Sequence, residues 1–161
     1  MIEKEEKVIP SPGLILKYNG VFDFDRLYNK LKEWFSENDY VFQEEEFGEK
    51  GRPEGNEYKY VFSGERKVTE YYKFKVKLVV EMKKVNSLSK NLVNGEIRLI
   101  FTGKMELDYR NKWQKNAILS FMFKVYNEYL IRDEIEGYKH ELYEEVVELH
   151  DIAKDVLEFN R

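Results

Sequence analysis

His140 is flanked by Glu136 and Glu144 four residues before and after it, a spacing that on a helix stacks one imidazole and two carboxylates on a single face. Such a trio offers a divalent cation a weak site, and in the absence of a cation it is an ordinary set of surface charge pairs. The Glu-x-x-His signature of di-iron bundles is missing, because Gly137 and Val147 stand three residues before His140 and His150. These are the only two histidines, so acid-base chemistry near neutral pH would fall to carboxylates with shifted pKa values. Glu44, Glu45 and Glu46 lie in a predicted strand, where glutamate is disfavoured. Either one of them turns inward with a raised pKa, or the run guards an edge strand against pairing with another chain. Glu144, Glu148, Asp151 and Asp155 form an acidic ridge on the last predicted helix, suited to a basic partner, a cation or simply water.

Other chemistries are excluded more firmly. Cysteine is absent, which removes disulfides, thiol nucleophiles and cysteine-ligated metals and fits a reducing compartment. The chain has no glycine-rich phosphate loop, no nucleophile elbow and no Asp-rich calcium loop. The expectation is therefore no catalytic residue, no cofactor and no metal. A net charge of -4 argues against a duplex-binding protein. Aromatic residues reach 16% and interleave with lysines in "YYKFKVK", the composition of a single-strand nucleic-acid platform, but in that stretch only Tyr71 shares the lysine parity. Nucleic acid is accordingly not the expected partner. "MIEKEEK" lacks the apolar core of a signal peptide and no apolar run approaches the ~20 residues of a membrane span, so the expected location is the cytoplasm. Charged residues make up 36% of the chain and Gln43 and Gln114 are its only glutamines, a bias like that of heat-adapted proteins.

The elements that must position these residues follow from the periodicities. One domain spans 1–161, with 1–12 an extended or disordered leader, since Pro10 and Pro12 exclude a helix there. Residues 13 to 18 read as a first strand ending at Asn19-Gly20. Phe24, Leu27, Leu31, Trp34 and Phe35 recur at threes and fours behind the N-cap residue Asp23, which predicts a helix over 24–37. From Tyr40 the period becomes two, giving four consecutive strands in an antiparallel meander. In the third of these, Tyr72, Phe74, Val76, Leu78, Val80 and Met82 alternate with Lys73, Lys75, Lys77, Glu81 and Lys83. The lysines form the solvated back of the sheet, with Glu96, Glu106 and Asp108 of the next strand as partners. Facing apolar sets require an odd-length connection such as 68–70, which places Lys73 opposite Glu65, or else a bulge at Gly64.

The last third is helical. Trp113, Ala117, Ile118, Phe121, Met122, Val125 and Tyr129 form one apolar stripe, and Tyr138, Leu142, Val146, Leu149, Ala153 and Val156 form a second. Unbroken, this helix would be about 70 Å long at 1.5 Å per residue, too long for the sheet, so a break is expected at Glu136-Gly137. The first half should then cover the sheet and bring the break near the loops at 48–57 and 86–95, the expected mouth of the molecule.

The order strand, helix, meander, long helix is similar in outline to helix-grip folds, in which a curved sheet wraps a C-terminal helix and often encloses a ligand cavity. The chain departs from them in having one N-terminal helix and fewer strands. "PSPGLIL", "GVFDFDRLY" and the Tyr/Lys-rich strands resemble small archaeal proteins to which no activity is assigned. The fold class is thus α+β: an N-terminal strand and helix, a four-stranded meander making five strands in all, and a long C-terminal helix on the sheet, broken near Gly137. Two non-enzymatic functions follow as expectations. The first is a protein-interaction or assembly module, a homodimer for example, whose interface is the stripe Tyr138, Leu142, Val146, Leu149, Ala153 and Val156. The alternative is a carrier holding an apolar small molecule in a cleft lined by Phe74, Val76, Leu99, Phe101, Phe121 and Val125.

Overall fold

A computed structural model gives the fold and describes residues 5–110, 116–126 and 131–159. Six strands, β1 (Glu5–Lys7), β2 (Leu14–Phe22), β3 (Val41–Lys50), β4 (Asn56–Lys67), β5 (Tyr72–Ser87) and β6 (Val93–Leu107), form one antiparallel sheet. Its order is β1-β6-β5-β4-β3, with β2 also paired to β6. The sixth strand comes from the leader, whose residues 5–7 pair with Glu106, Met105 and Lys104. β1 and β2 thus share one edge, separated by the excursion 8–13, and Gly13 at φ +122° returns the chain where an added Cβ would lie 2.5 Å from the Phe101 carbonyl oxygen.

Three helices complete the chain: α1 (Phe24–Glu37), α2 (Ala117–Val125) and α3 (Arg132–Glu158). α1 starts where its cap requires, the Asp23 carboxylate accepting the Arg26 N–H at 3.0 Å, and it buries Leu27, Leu31, Trp34 and Phe35. It covers β3 and β4 through ring pairs such as Tyr28–Phe62 and Phe35–Phe42. Gly64 is the seat of this packing, since a Cβ there would lie 2.5 Å from the Phe35 ring. No bulge falls at Gly64. The register shifts instead at Glu44/Glu46, Asn56/Tyr58 and Lys83/Asn86.

The β4–β5 connection keeps the odd parity but is two residues longer than expected. Lys67 faces Lys73 and Glu65 faces Lys75, because the Thr69 hydroxyl accepts the N–H groups of Tyr71 and Tyr72 and closes a wider loop. Lys73 still reaches Glu65 diagonally, at 3.5 Å. Lys75 pairs with Glu106 at 2.8 Å and with Glu5 at 3.3 Å, so the lysine face is a network of exchanged charges. Asp108 is buried, with φ +49°, just past the end of β6.

The C-terminal third departs most from expectation. Gly137 lies inside α3, which begins at Arg132, with open space where a Cβ would be. At 27 residues α3 is about 40 Å long, a length that strands of 15 and 16 residues can cover without a break. It is α3, not the first stripe, that lies on the apolar face: Leu142, Val146, Leu149 and Ala153 are fully buried, over β6 and β2. Its first turns sit at the hairpin end, where Tyr138 meets the Tyr72 ring at 4.8 Å. Its last turn reaches α1, where the Arg26 guanidinium covers the Phe159 ring. The segments 48–57 and 86–95 do lie at the same end, with the Asn86 amide near the end of β5 donating to the Glu54 carbonyl. Gly137 is at the opposite end.

Gly137 exerts no conformational demand in α3, so Gly137→Ala should raise stability by about 0.5–1 kcal/mol in urea unfolding. A loss of stability would place a turn at this residue.

Candidate functional site

The core explains where the expected cleft residues went. Phe74, Val76, Leu99 and Phe101 are at most 1% exposed, packed side by side across β5 and β6, with Leu78 opposite Phe101 and Val80 opposite Leu99. They line no space with Phe121 and Val125. Phe121 points to solvent on α2, 67% exposed, and Val125 is half-buried there. The second stripe is equally occupied: Leu142, Val146, Leu149, Ala153 and Val156 face the sheet and α1, and Tyr138 is half-buried against Tyr72 and Phe74.

The charged candidates resolve as surface features. His140 is exposed and pairs with Glu144 at 2.9 Å, while His150 rests on the Phe101 ring beside Asp151. Glu144, Glu148, Asp151 and Asp155 are exposed along α3. Among the described residues no three His, Asp or Glu side chains gather to hold a metal ion. Glu44, Glu45 and Glu46 are all exposed on β3, which is the edge strand opposite β1, and none turns inward. Their partners are the Tyr28 hydroxyl, the Ser63 hydroxyl and Lys59.

The most closely held carboxylate of α3 is Glu145, half-buried against the sheet. Arg66 donates two parallel hydrogen bonds to Glu145, at 2.6 and 3.0 Å, and a third to the Asn38 carbonyl at 2.9 Å. Its guanidinium lies between the Tyr40 and Phe74 rings, 4.9 and 5.2 Å from their centroids. One side chain thereby joins β4, α3 and the C-cap of α1. Burial holds the Glu145 carboxyl above its ordinary pKa against the pull of Arg66. The signal for this cluster was in the alternation: Tyr58, Tyr60, Phe62 and Gly64 put Arg66 on the inward parity of β4, where an arginine needs a partner. Three guanidinium N–H groups are taken up by Asn38 and Glu145, and Glu141 stands 3.5 Å from Nη2, so the arrangement is a clamp between layers.

Grooves open elsewhere. One of about 460 Å³ lies on the lysine face between Lys17, Glu81, Lys83, Glu96 and Arg98, and one of about 430 Å³ crosses the same face between Gln43, Ser63, Lys75, Thr102 and Lys104. A cleft of about 240 Å³ sits at the loop end, where Phe24, Tyr58, Tyr60, Met82, Val85 and Val93 meet the 88–92 loop. This is where the meander topology puts a mouth, although no helix break is near it.

The most unusual surface is α2. Asn116 caps it by accepting the Leu119 N–H at 2.9 Å, and Phe123, 4% exposed, holds it against Tyr71. On its other side Ile118, Phe121 and Met122 are exposed, three large apolar side chains within one arc of about 100°. The stripe expected to cover the sheet therefore faces water, and an off-stripe residue makes the anchor. Trp113 and Tyr129, its outer members, lie outside the described residues. No family model, no curated protein and no solved structure matches the chain.

Tyr40 and Tyr72 supply a pH test of the core. Burial, and then the Glu145 and Glu134 carboxylates, push their phenols well above the ordinary tyrosine value. Each proton is therefore held more tightly folded than unfolded, where it leaves near pH 10. Stability should be flat in this respect below pH 10 and fall above it, by about 1.4 kcal/mol per pH unit for each tyrosine. Tyr40→Phe and Tyr72→Phe should flatten that fall and cost little at pH 7, as read from urea unfolding at several pH values. A fall of unchanged slope after both substitutions contradicts the burial of these phenols.

Proposed function

We propose that the protein is a non-enzymatic interaction module and that α2, rather than the stripe of α3, is its docking element. The observation that carries this reading is the outward Ile118, Phe121 and Met122 face, anchored from behind by Phe123. An exposed face of this kind adds nothing to the fold and is retained at a cost in solubility, which is the mark of a surface that another body covers. The clamp at Arg66 and the filled interior support the non-enzymatic half of the reading, since this half-buried ion pair holds the layers together.

The second reading is a carrier for an apolar small molecule. What favours it is the cleft at the loop end, whose lining combines six aromatic or apolar side chains with five polar ones. At about 240 Å³ it lies just under the common range of roughly 300–1,000 Å³ for ligand pockets.

An apolar fluorescent probe separates the two. Replacing Ile118, Phe121 and Met122 with serine should abolish probe binding while changing unfolding free energy by no more than about 0.5 kcal/mol, because these side chains bury nothing within the chain. Probe binding that survives on the triple variant but is lost on Val93→Trp at the cleft would favour the carrier. A triple variant destabilised by several kcal/mol would mean that the α2 face is core.

A further inference from the structure

Cations that face each other across neighbouring strands repel, and among the described residues the sheet contains four such pairs. Three of them are answered by the protein itself. Lys104 faces both Lys75 and Lys7, and the Glu5 carboxylate stands 3.3 Å from the Lys75 ammonium and 4.0 Å from that of Lys104. Lys67 faces Lys73, which Glu65 reaches at 3.5 Å. The fourth pair, Lys17 of β2 opposite Arg98 of β6, has no such answer. Among the described residues neither side chain makes an ion pair or a hydrogen bond, and the Arg98 Nε is buried all the same. One N–H of a charged group is thus out of water without an acceptor.

Both residues line the groove of about 460 Å³, together with Lys83, Asn19, Glu81 and Glu96. Lys83 is also unpaired among the described residues, and the carboxylates beside it are not free to serve all three cations. Glu96 is held by Lys84 at 3.6 Å, and Glu81, although opposite Arg98 on β5, stays outside ion-pair distance of it. We propose that this groove binds a small phosphorylated molecule, its phosphate lying among Lys17, Arg98 and Lys83 as Glu5 lies between Lys75 and Lys104. This site is separate from α2 and does not depend on the docking reading. Charge selects the anion: three cations match a phosphate dianion better than a single carboxylate, and the planar guanidinium fork takes two phosphate oxygens at once. Volume selects the size, since the groove falls within the roughly 300–1,000 Å³ of small-molecule sites and has far more room than a bare phosphate takes. Glu81 is then placed to accept from a hydroxyl of the ligand body. The same two carboxylates in the lining repel a continuous polyanion, which sets this site apart from a nucleic-acid surface.

The test is titration of the whole chain with glycerol 3-phosphate, glycerate and glycerol, followed by amide chemical shifts and by the thermal unfolding midpoint. Glycerol 3-phosphate should shift the amides of 17–19, 81–83 and 96–98 saturably and raise the midpoint, and glycerol should do neither. Glycerate should bind at least about tenfold more weakly. Arg98→Gln should lower the affinity for glycerol 3-phosphate by about tenfold or more. Lys17→Gln with Lys83→Gln, both exposed positions that the fold does not need, should do the same with the unliganded midpoint unchanged. Lys73→Gln, on the same face but matched by Glu65, should leave binding as it was. Absence of saturable binding overturns the proposal, as do shifts spread over the whole face or a loss with Lys73→Gln equal to that with the other variants. Equal binding of glycerate and glycerol 3-phosphate overturns the choice of phosphate.

Discussion

A sheet with one apolar face and one lysine-rich face is stable in water only if the apolar side is covered, and here the cover is α3 together with α1. The fit depends on absent side chains as much as on present ones. Gly64 admits the Phe35 ring, and at Gly103 a Cβ would already stand 3.1 Å from Val146 Cγ2. Two glycines on the inward parity thus let both helices approach closely. The Arg66–Glu145 pair fixes how the layers sit, because a guanidinium held by two parallel bonds to α3 and one to the end of α1 permits a single arrangement. Removing one partner would leave the other charge half-buried without its counter-ion, at less than the roughly 3–5 kcal/mol of a fully buried pair.

That coverage has a consequence for α2. With α1 on β3 and β4 and α3 on the rest, no apolar sheet surface remains for a third helix. α2 is consequently displaced to the hairpin end, tied down by Phe123 on Tyr71 and left with its broader apolar face outward. The lysine face, by contrast, is chemically quiet at its hairpin end. Lys73 and Lys75 are matched there by Glu65, Glu106 and Glu5 across strand pairs, each worth a few tenths of a kcal/mol.

Much of this was legible from alternation. The period-two runs placed the meander and its two faces, because side-chain direction in a strand is set by parity alone. α1 was legible to its ends, since Asp23 and the Leu27, Leu31, Trp34 and Phe35 spacing carry both the cap and the face. The helical third was not legible in the same way. Two apolar stripes of similar strength were present, and helical periodicity says which residues share a face without saying what that face meets. Gly137 carried a breaker's signal worth about 1 kcal/mol, which the burial of Leu142, Val146 and Leu149 on the same helix outweighs several times. The clamp needed both layers: the inward parity of Arg66 was visible in β4, but its partner was one of several glutamates on α3, and only the crossing of helix over sheet selects Glu145.

The central claim is that α3 covers the sheet of its own chain. Because the chain has no cysteine, it can be tested with a single introduced pair, Gly103→Cys with Val146→Cys, at positions whose side-chain atoms fall within disulfide reach. Mild oxidation followed by non-reducing electrophoresis should give a cross-linked chain of monomer mass. A disulfide-linked dimer would mean that the stripe of α3 is covered by a second copy, and failure to cross-link in a folded protein would mean that α3 does not lie on β6 at all.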